Sequence, residues 1–259
     1  MMNRNEGSGT MSRRDFLRLS LAGGAGLFAP EFLLNTVSYI SHGDRDSNKI
    51  AMTIDDGWYP EKVERALELL DGTPASFFIV GACLHDDPKL YAKAIDKGYE
   101  IYNHTLDHTH LNNPTVDISY QIKGWEQAYS ELNRGEFVNK LMRAPANQGV
   151  DDTSVYNTLG GLGYKAIMGW TYGSPGVYSR YSTQDVIDFV VPKMAGGDII
   201  LMHFTDSDVG AIPAIKQAAK DKGLELVGLT GLPGMPIYTP KPKELVPQQK
   251  QPSMKHTSK

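Results

Sequence analysis

Two adjacent carboxylates, a pair of histidines and a third histidine far along the chain carry the chemistry this sequence could do. Asp55 and Asp56 follow directly on the run Ile50–Ile54, and His104 and His108 stand four residues apart. Arg143-Ala144-Pro145 sets a cation beside a proline, and His203 closes the triplet Leu201-Met202-His203. Neighbouring carboxylates after an apolar run are costly unless a cation or donor meets them. Histidines four apart can face one way on a helical turn and take the same metal. Each feature alone also has an ordinary explanation. Asp55 or Asp56 could cap a helix opening near Pro60, the histidine pair could lie on the surface, Arg143 could form a surface ion pair, and His203 could bond backbone at the core edge. Together they supply one carboxylate and two imidazoles, leaving coordination positions for water and substrate, which is the donor count of a catalytic zinc site.

The elements that must position these groups alternate in type. Short β-rich runs occur at 49–54, 75–80, 100–102, 141–143, 165–168, 199–202 and 225–229, separated by helical patterns at 60–70, 87–97, 115–133, 151–160, 182–195 and 211–222. In the first of these, Val63, Ala66, Leu67 and Leu70 share a face opposite Glu61, Glu64 and Glu68, and Pro60 suits the first turn. Several patterns end at glycine, such as Gly98, Gly196 and Gly223. Seven strands separated by helices predict parallel pairing through right-handed crossovers, hence an α/β barrel or a doubly wound sheet. Either architecture gathers functional groups where strands end. The first, third, fourth and sixth runs end at Asp55-Asp56, Asn103-His104, Arg143 and His203 respectively.

Composition bounds the rest. The 259 residues are 41% hydrophobic and 22% charged, which excludes collagen-like, coiled-coil, polytopic membrane and wholly disordered chains. Residues 1–34 carry four Arg against three acids and residues 241–259 five Lys against Glu244, so of the net −4 the stretch between them holds −9. An acidic body argues against a nucleic-acid partner. Cys83, the single cysteine, excludes an intrachain disulfide and reads as an inert buried thiol. At the start, Ser12-Arg13-Arg14-Asp15-Phe16-Leu17-Arg18 precedes an apolar stretch broken by Gly23, Gly24, Gly26 and Pro30. Residues 1–34 therefore look like a twin-arginine export signal, which would tether the protein to the membrane if uncleaved. Residues 35–231 read as one catalytic-scale domain, and 232–259, rich in Pro, Lys and Gln, as a flexible tail. Oligomeric state has no signature in the sequence.

The blocks Thr53–Gly57, His104–His108 with Leu111 behind it, Arg143-Ala144-Pro145 and Leu201-Met202-His203 resemble, in order and spacing, those of the polysaccharide deacetylases, the NodB-like carbohydrate esterases of family 4. The likeness runs from about Asn48 to Leu229. It implies a distorted (β/α)7-type barrel, the NodB homology domain, and a divalent metal, zinc before cobalt or nickel, held by Asp56, His104 and His108. By the same resemblance Asp55 is the base, Arg143 orients it, His203 is the acid, Ala146 offers a backbone N–H to the oxyanion, and Leu201 walls the acetyl pocket. The implied substrate is an N- or O-acetylated polysaccharide of the cell envelope or exterior. Trp58 would stack on sugar or pack on the next helix. After strand five the family carries an aspartate that orients the acid histidine, whereas this chain has Trp170-Thr171-Tyr172-Gly173. Trp170 or Tyr172 would then replace the pocket wall, and Asp185, Asp188 or Asp206 would have to serve His203. Without such a partner, the alternatives are a weakened glycan-binding relative or a hydrolase of another amide bond.

Overall fold

The computed structural model describes residues 37–236. The expected export signal and residues 237–259 lie outside them. Nine strands form one sheet: β1 Ser38–Ile40, β2 Lys49–Asp56, β3 Ser76–Ile79, β4 Glu100–Asn103, β5 Leu141–Met142, β6 Ala166–Met168, β7 Tyr172–Gly173, β8 Ile199–His203 and β9 Glu225–Val227. Their order is β1-β6-β5-β4-β3-β2-β8-β7, with β9 also paired to β2, and every ladder is parallel. The curled sheet is the expected (β/α)7-type barrel with two strands added. Both additions, β1 and β7, are too short to show a period in sequence.

Seven helices accompany it among the described residues: α1 Pro60–Leu70, α2 Gly81–Asp86, α3 Pro88–Asp96, α4 Ile118–Glu131, α5 Thr153–Gly161, α6 Thr183–Val190 and α7 Asp206–Asp221. The six-residue α2 goes unread in the sequence. α7 opens five residues earlier than its periodicity predicts, because Thr205 caps it by accepting the Asp208 N–H while Gly210 and Pro213 blur the apolar stripe. Neither aspartate of β2 caps α1, whose N-cap is Tyr59 with no side-chain bond.

Strand alternation decides which side chains meet the helices and which face into the curl. On β2, Ile50, Met52 and Ile54 pack with Val63, Tyr91, Trp125, Val186 and Ile212 from the helices. Ala51 belongs to the inner cluster with Phe78, Tyr102, Met168 and Ile199, and Thr53 and Asp55 continue its face. Burying these apolar side chains, at roughly 1.5–3 kcal/mol each for the large ones, holds the barrel against the cost of burying polar Thr53 and Asp55. The inner cluster also takes in Leu232 and Met235, and Asp44 N–H donates to the Pro233 carbonyl at 2.9 Å. The packed fold therefore continues past residue 231, correcting the tail boundary expected at Leu232. Cys83 is buried in α2, as expected, and burial pushes its thiol up to about 12.

Candidate active site

The loops at the carboxyl ends of β2, β4, β5 and β8 converge on one cavity of about 400 Å³. β2 delivers Asp55 to the inner face, and the chain then turns through positive φ at Asp56 (83°) and Gly57 (102°). Without that turn the alternation of the strand would aim Asp56 away from Asp55's side. Five of the seven non-glycine residues with positive φ among those described, Asp56, Thr105, His108, Ala146 and Asn147, lie in these loops. Such backbone costs on the order of 1–3 kcal/mol per residue and persists only where neighbours over-determine it.

The neighbours that hold the histidine loop are identifiable. Asn103 accepts the Thr105 N–H at 2.8 Å, while its amide donates to the Ile122 carbonyl and the Tyr164 hydroxyl. Gln121 of α4 accepts the Leu106 N–H and donates to Asp107, and Gly81 and Ala82 at the start of α2 donate to Thr105 and Leu106. Asp107 thus braces the loop through Thr109 and Gln121.

His104 Nδ1 donates to the Arg143 carbonyl at 2.9 Å. A carbonyl only accepts, so the ring proton sits on Nδ1 and Nε2 presents a lone pair. That Nε2 lies 3.4 Å from Asp56 Oδ1, and His108 Nε2 lies 3.2 Å from the same oxygen. Asp56 Oδ1 is buried and makes no hydrogen bond. An orphaned carboxylate oxygen facing an imidazole lone pair is repulsive unless a cation lies among them. Asp56, His104 and His108 offer ligand atoms all within 4.8 Å of one another, so the donors fit a divalent ion, as the sequence predicts. Burial opposes charge on Asp56, yet the two imidazoles, when protonated and donating to it, hold its carboxyl well below the usual range, so positive charge belongs in this cradle, on the rings or on a cation among them.

Asp55 is paired, not stranded. Arg143, fully buried, donates to Asp55 Oδ1 at 2.6 Å and to Thr53 Oγ1 at 2.9 Å, and its other nitrogens donate to the Met168 and Gly169 carbonyls at 3.0 Å. Phe78 lies 4.1 Å beneath the guanidinium and Trp170 5.6 Å from it. Burial lowers the Arg143 pKa against the opposing pull of Asp55, but guanidinium remains charged at any physiological pH. The second oxygen of Asp55 stands 3.8 Å from His104 Nε2, facing the metal cradle.

Across the cavity, His203 ends β8 in register with Asp55. Its Nδ1 is buried without a hydrogen-bond partner, and the nearest carboxylate is Asp208 Oδ2 at 3.9 Å. Asp208 Oδ2 also accepts the His203 backbone N–H at 2.8 Å, and Oδ1 accepts the Ser174 hydroxyl. The three acids considered from sequence are engaged elsewhere: Asp185 with Ser182, Asp188 with Gln184, and Asp206 with Lys62. Sequence reasoning missed Asp208 because it placed the start of α7 beyond it. An acid two residues inside the first turn of a helix that starts right after His203 is the signal that would have found it. Burial raises the Asp208 pKa against the bonds from Ser174 and His203 that lower it. A Cβ at Gly176 would overlap the Asp208 carboxylate. Gly176→Ala is therefore expected to destabilise the fold by about 1–3 kcal/mol through overpacking, read as a lower Tm in thermal unfolding.

Ala146, Leu201 and Trp170 line the cavity together with Val177 and Tyr178, which the sequence did not single out. Ala146 adopts left-handed backbone (φ 50°) in the turn Pro145–Asn147. Tyr172 is a correction. It pairs with Ile200 while Gly173 pairs with Leu201, so alternation sends its ring to the outer core instead. Trp58 stands at the mouth, half exposed, with its ring edge-on to His108 at 6.2 Å.

A family model described as polysaccharide deacetylase matches residues 42–167. A chitooligosaccharide deacetylase of Rhizobium leguminosarum bv. phaseoli is 35% identical over 181 residues, covering 62% of this chain and 72% of that protein. A peptidoglycan-N-acetylglucosamine deacetylase of Bacillus cereus is 25% identical over 207 residues, 77% of this chain and 95% of that one. The crystal structure of a family 4 carbohydrate esterase pseudoenzyme from Bacillus anthracis superposes with a TM-score of 0.69 at 21% identity, covering 75% of this chain and 68% of that chain. The last is a likeness of fold alone, and a pseudoenzyme that shares it means that activity has to be argued from side chains. From the relatives and the four converging loops, the chain belongs to the polysaccharide deacetylase family.

Proposed function

We propose that the protein is a metal-dependent hydrolase that removes acetyl groups from an N- or O-acetylated polysaccharide of the cell envelope or exterior, with zinc as the metal and export by the twin-arginine route. The observation that carries this reading is the joint geometry of two carboxylate environments in one cavity. Asp56 is aimed at two imidazoles with an oxygen left over, while Asp55 is anchored by a buried arginine. One carboxylate is thereby turned toward a cation site and the other positioned for proton transfer.

A bound divalent ion would polarise the acetyl carbonyl and acidify water in its vicinity. The chain's own groups supply the remainder. Asp55, anchored by Arg143, takes the proton of the attacking water. The Ala146 N–H donates to the oxygen on which negative charge develops. Leu201 and Trp170 provide an apolar seat for the acetyl methyl and keep bulk water out. His203 protonates the departing nitrogen or oxygen, with Asp208 behind its ring. A non-catalytic glycan-binding role was suggested by the missing aspartate after strand five; the Asp208 carboxylate, 3.9 Å from His203 Nδ1, supports the catalytic reading by offering that ring another acid.

Acetate release from acetylated chito-oligosaccharides, acetyl-xylan and peptidoglycan, with zinc present, tests the activity, and release from none of them would sink it. The metal is tested separately. His104→Ala is expected to reduce bound zinc, measured by elemental analysis after gel filtration, to below about a tenth of wild type, since losing one of three protein ligands typically removes at least a decade of affinity. Equal metal content in the two proteins would reject the ligand set.

A further inference from the structure

Among the described residues Arg45, Arg134 and Arg143 pair with carboxylates, whereas Arg65 and Arg180 do not. Of these two, Arg180 is the one stacked on aromatic rings. Its guanidinium carbon lies 4.8 Å from the ring centroids of both Tyr178 and Tyr181, and no ion pair is formed to it among the described residues. Stacking on two rings fixes the direction of a side chain that would otherwise sample many rotamers, and it leaves the N–H edge free. Tyr178 is at the same time a wall of the catalytic cavity and more than half exposed. The cation therefore stands on the rim, immediately outside the ring that borders the reaction centre.

The segment that carries it is tied down along its length. Ser174 Oγ accepts the Gly176 N–H and donates to Asp208, Thr205 Oγ1 donates to the Gly176 carbonyl, and Ser207 Oγ donates to the Tyr181 carbonyl. Tyr178 and Tyr181 N–H groups close turns onto Pro175 and Tyr178. Asp206, the acid beside the Ser207 anchor, is engaged by Lys62 at 3.1 Å, so it does not neutralise Arg180. The result is a preorganised cation on an otherwise acidic body, stacked on the tyrosine that lines the catalytic cavity.

We propose that Arg180, stacked between Tyr178 and Tyr181, binds a carboxylate borne by the sugar next to the acetylated one, so that the preferred substrate is an acidic glycan and not a neutral chitin-like chain. The inference rests on the deacetylase reading and refines its substrate class. The partner chemistry is a planar carboxylate, which the guanidinium fork can grip with two parallel hydrogen bonds. Because the contact is solvent-exposed, the expected gain is modest and salt-sensitive.

The probe is a strand of alternating N-acetylglucosamine and N-acetylmuramic acid with free lactyl carboxylates, compared with the same strand after amidation of those carboxylates. Wild-type kcat/KM is expected to favour the free-acid strand about fivefold at 50 mM salt, and Arg180→Gln is expected to bring that ratio to about 1. A wild-type ratio near 1, or a ratio in Arg180→Gln equal to wild type's, would overturn the proposal. Calorimetric affinities for the same two strands read the contact without turnover. A protein that releases no acetate from any substrate would thus refute the deacetylase reading, while its binding ratio still decides the role of Arg180.

Discussion

Asp55→Asn is expected to lower kcat for acetate release by about 10³-fold, within the span that a positioned general base contributes. The substitution keeps an oxygen that can accept from Arg143 at the position of Oδ1, so the side chain has reason to stay in place, but an amide cannot take the proton of the attacking water. The loss should be the same for an amide substrate and for an activated ester such as 4-nitrophenyl acetate, because both need the attacking water deprotonated. Stability is affected as well. Arg143 is completely buried and loses its counter-ion, and removing one member of a buried ion pair costs on the order of 3–5 kcal/mol where nothing replaces it. With the amide oxygen still accepting, a fall at the low end of that range is expected. Rates are therefore to be measured well below the variant's unfolding midpoint and normalised to bound metal. Asp55→Asn with kcat within tenfold of wild type would refute the assignment of the base.

What made the metal half of this site legible in the sequence is that its donors sit at strand ends, and strand ends are where a run of apolar alternation stops. Ile50–Ile54 gives way to Asp55-Asp56, and the third run gives way to Asn103-His104, so residue type and position point to the same edge of the sheet. The barrel was legible because the runs that form β2, β3, β4 and β8 are four to eight residues of mostly apolar chain. The two-residue β7 shows none, and that is why Tyr172 was assigned to the pocket when its register with Ile200 turns it outward. Asp208 was hidden by helix chemistry. Its segment holds Gly210 and Pro213, residues that weaken a helical pattern, so the first turn of α7 went unread and its buried acid with it. Val177, Tyr178 and Arg180 lie in a connection whose shape comes from Ser174, Thr205 and Ser207 hydroxyls reaching across it, and such long-range bonds leave no periodic trace.

Asp208→Asn separates orientation of the acid from the architecture around it. Asparagine is nearly isosteric and can accept the His203 N–H through Oδ1 while donating through Nδ2 to Ser174, whose hydroxyl can turn to accept. What disappears is the negative charge 3.9 Å from His203 Nδ1, and with it the carboxylate that orients the ring. The amide reaction, whose leaving nitrogen must be protonated, is expected to slow by about 30-fold, inside the range for general-acid catalysis. Hydrolysis of 4-nitrophenyl acetate, whose phenolate departs without a proton, is expected to slow much less. Thermal stability should move in the opposite direction. Burial raises the Asp208 pKa in the folded protein, and a carboxyl with a folded pKa above its unfolded value stabilises the fold only at acid pH. That contribution is lost as pH rises through the folded pKa, so at neutral pH the ionised group is a net cost. Removing it should leave Tm equal to or above wild type at pH 7, with the difference shrinking at pH 4. A variant that loses stability and both activities in equal measure would show that Asp208 serves only to hold β8 and the Ser174 turn together. The result expected is a protein as stable as the parent, with its metal content and its ester hydrolysis largely kept, that has become a poor amidase because nothing orients its acid.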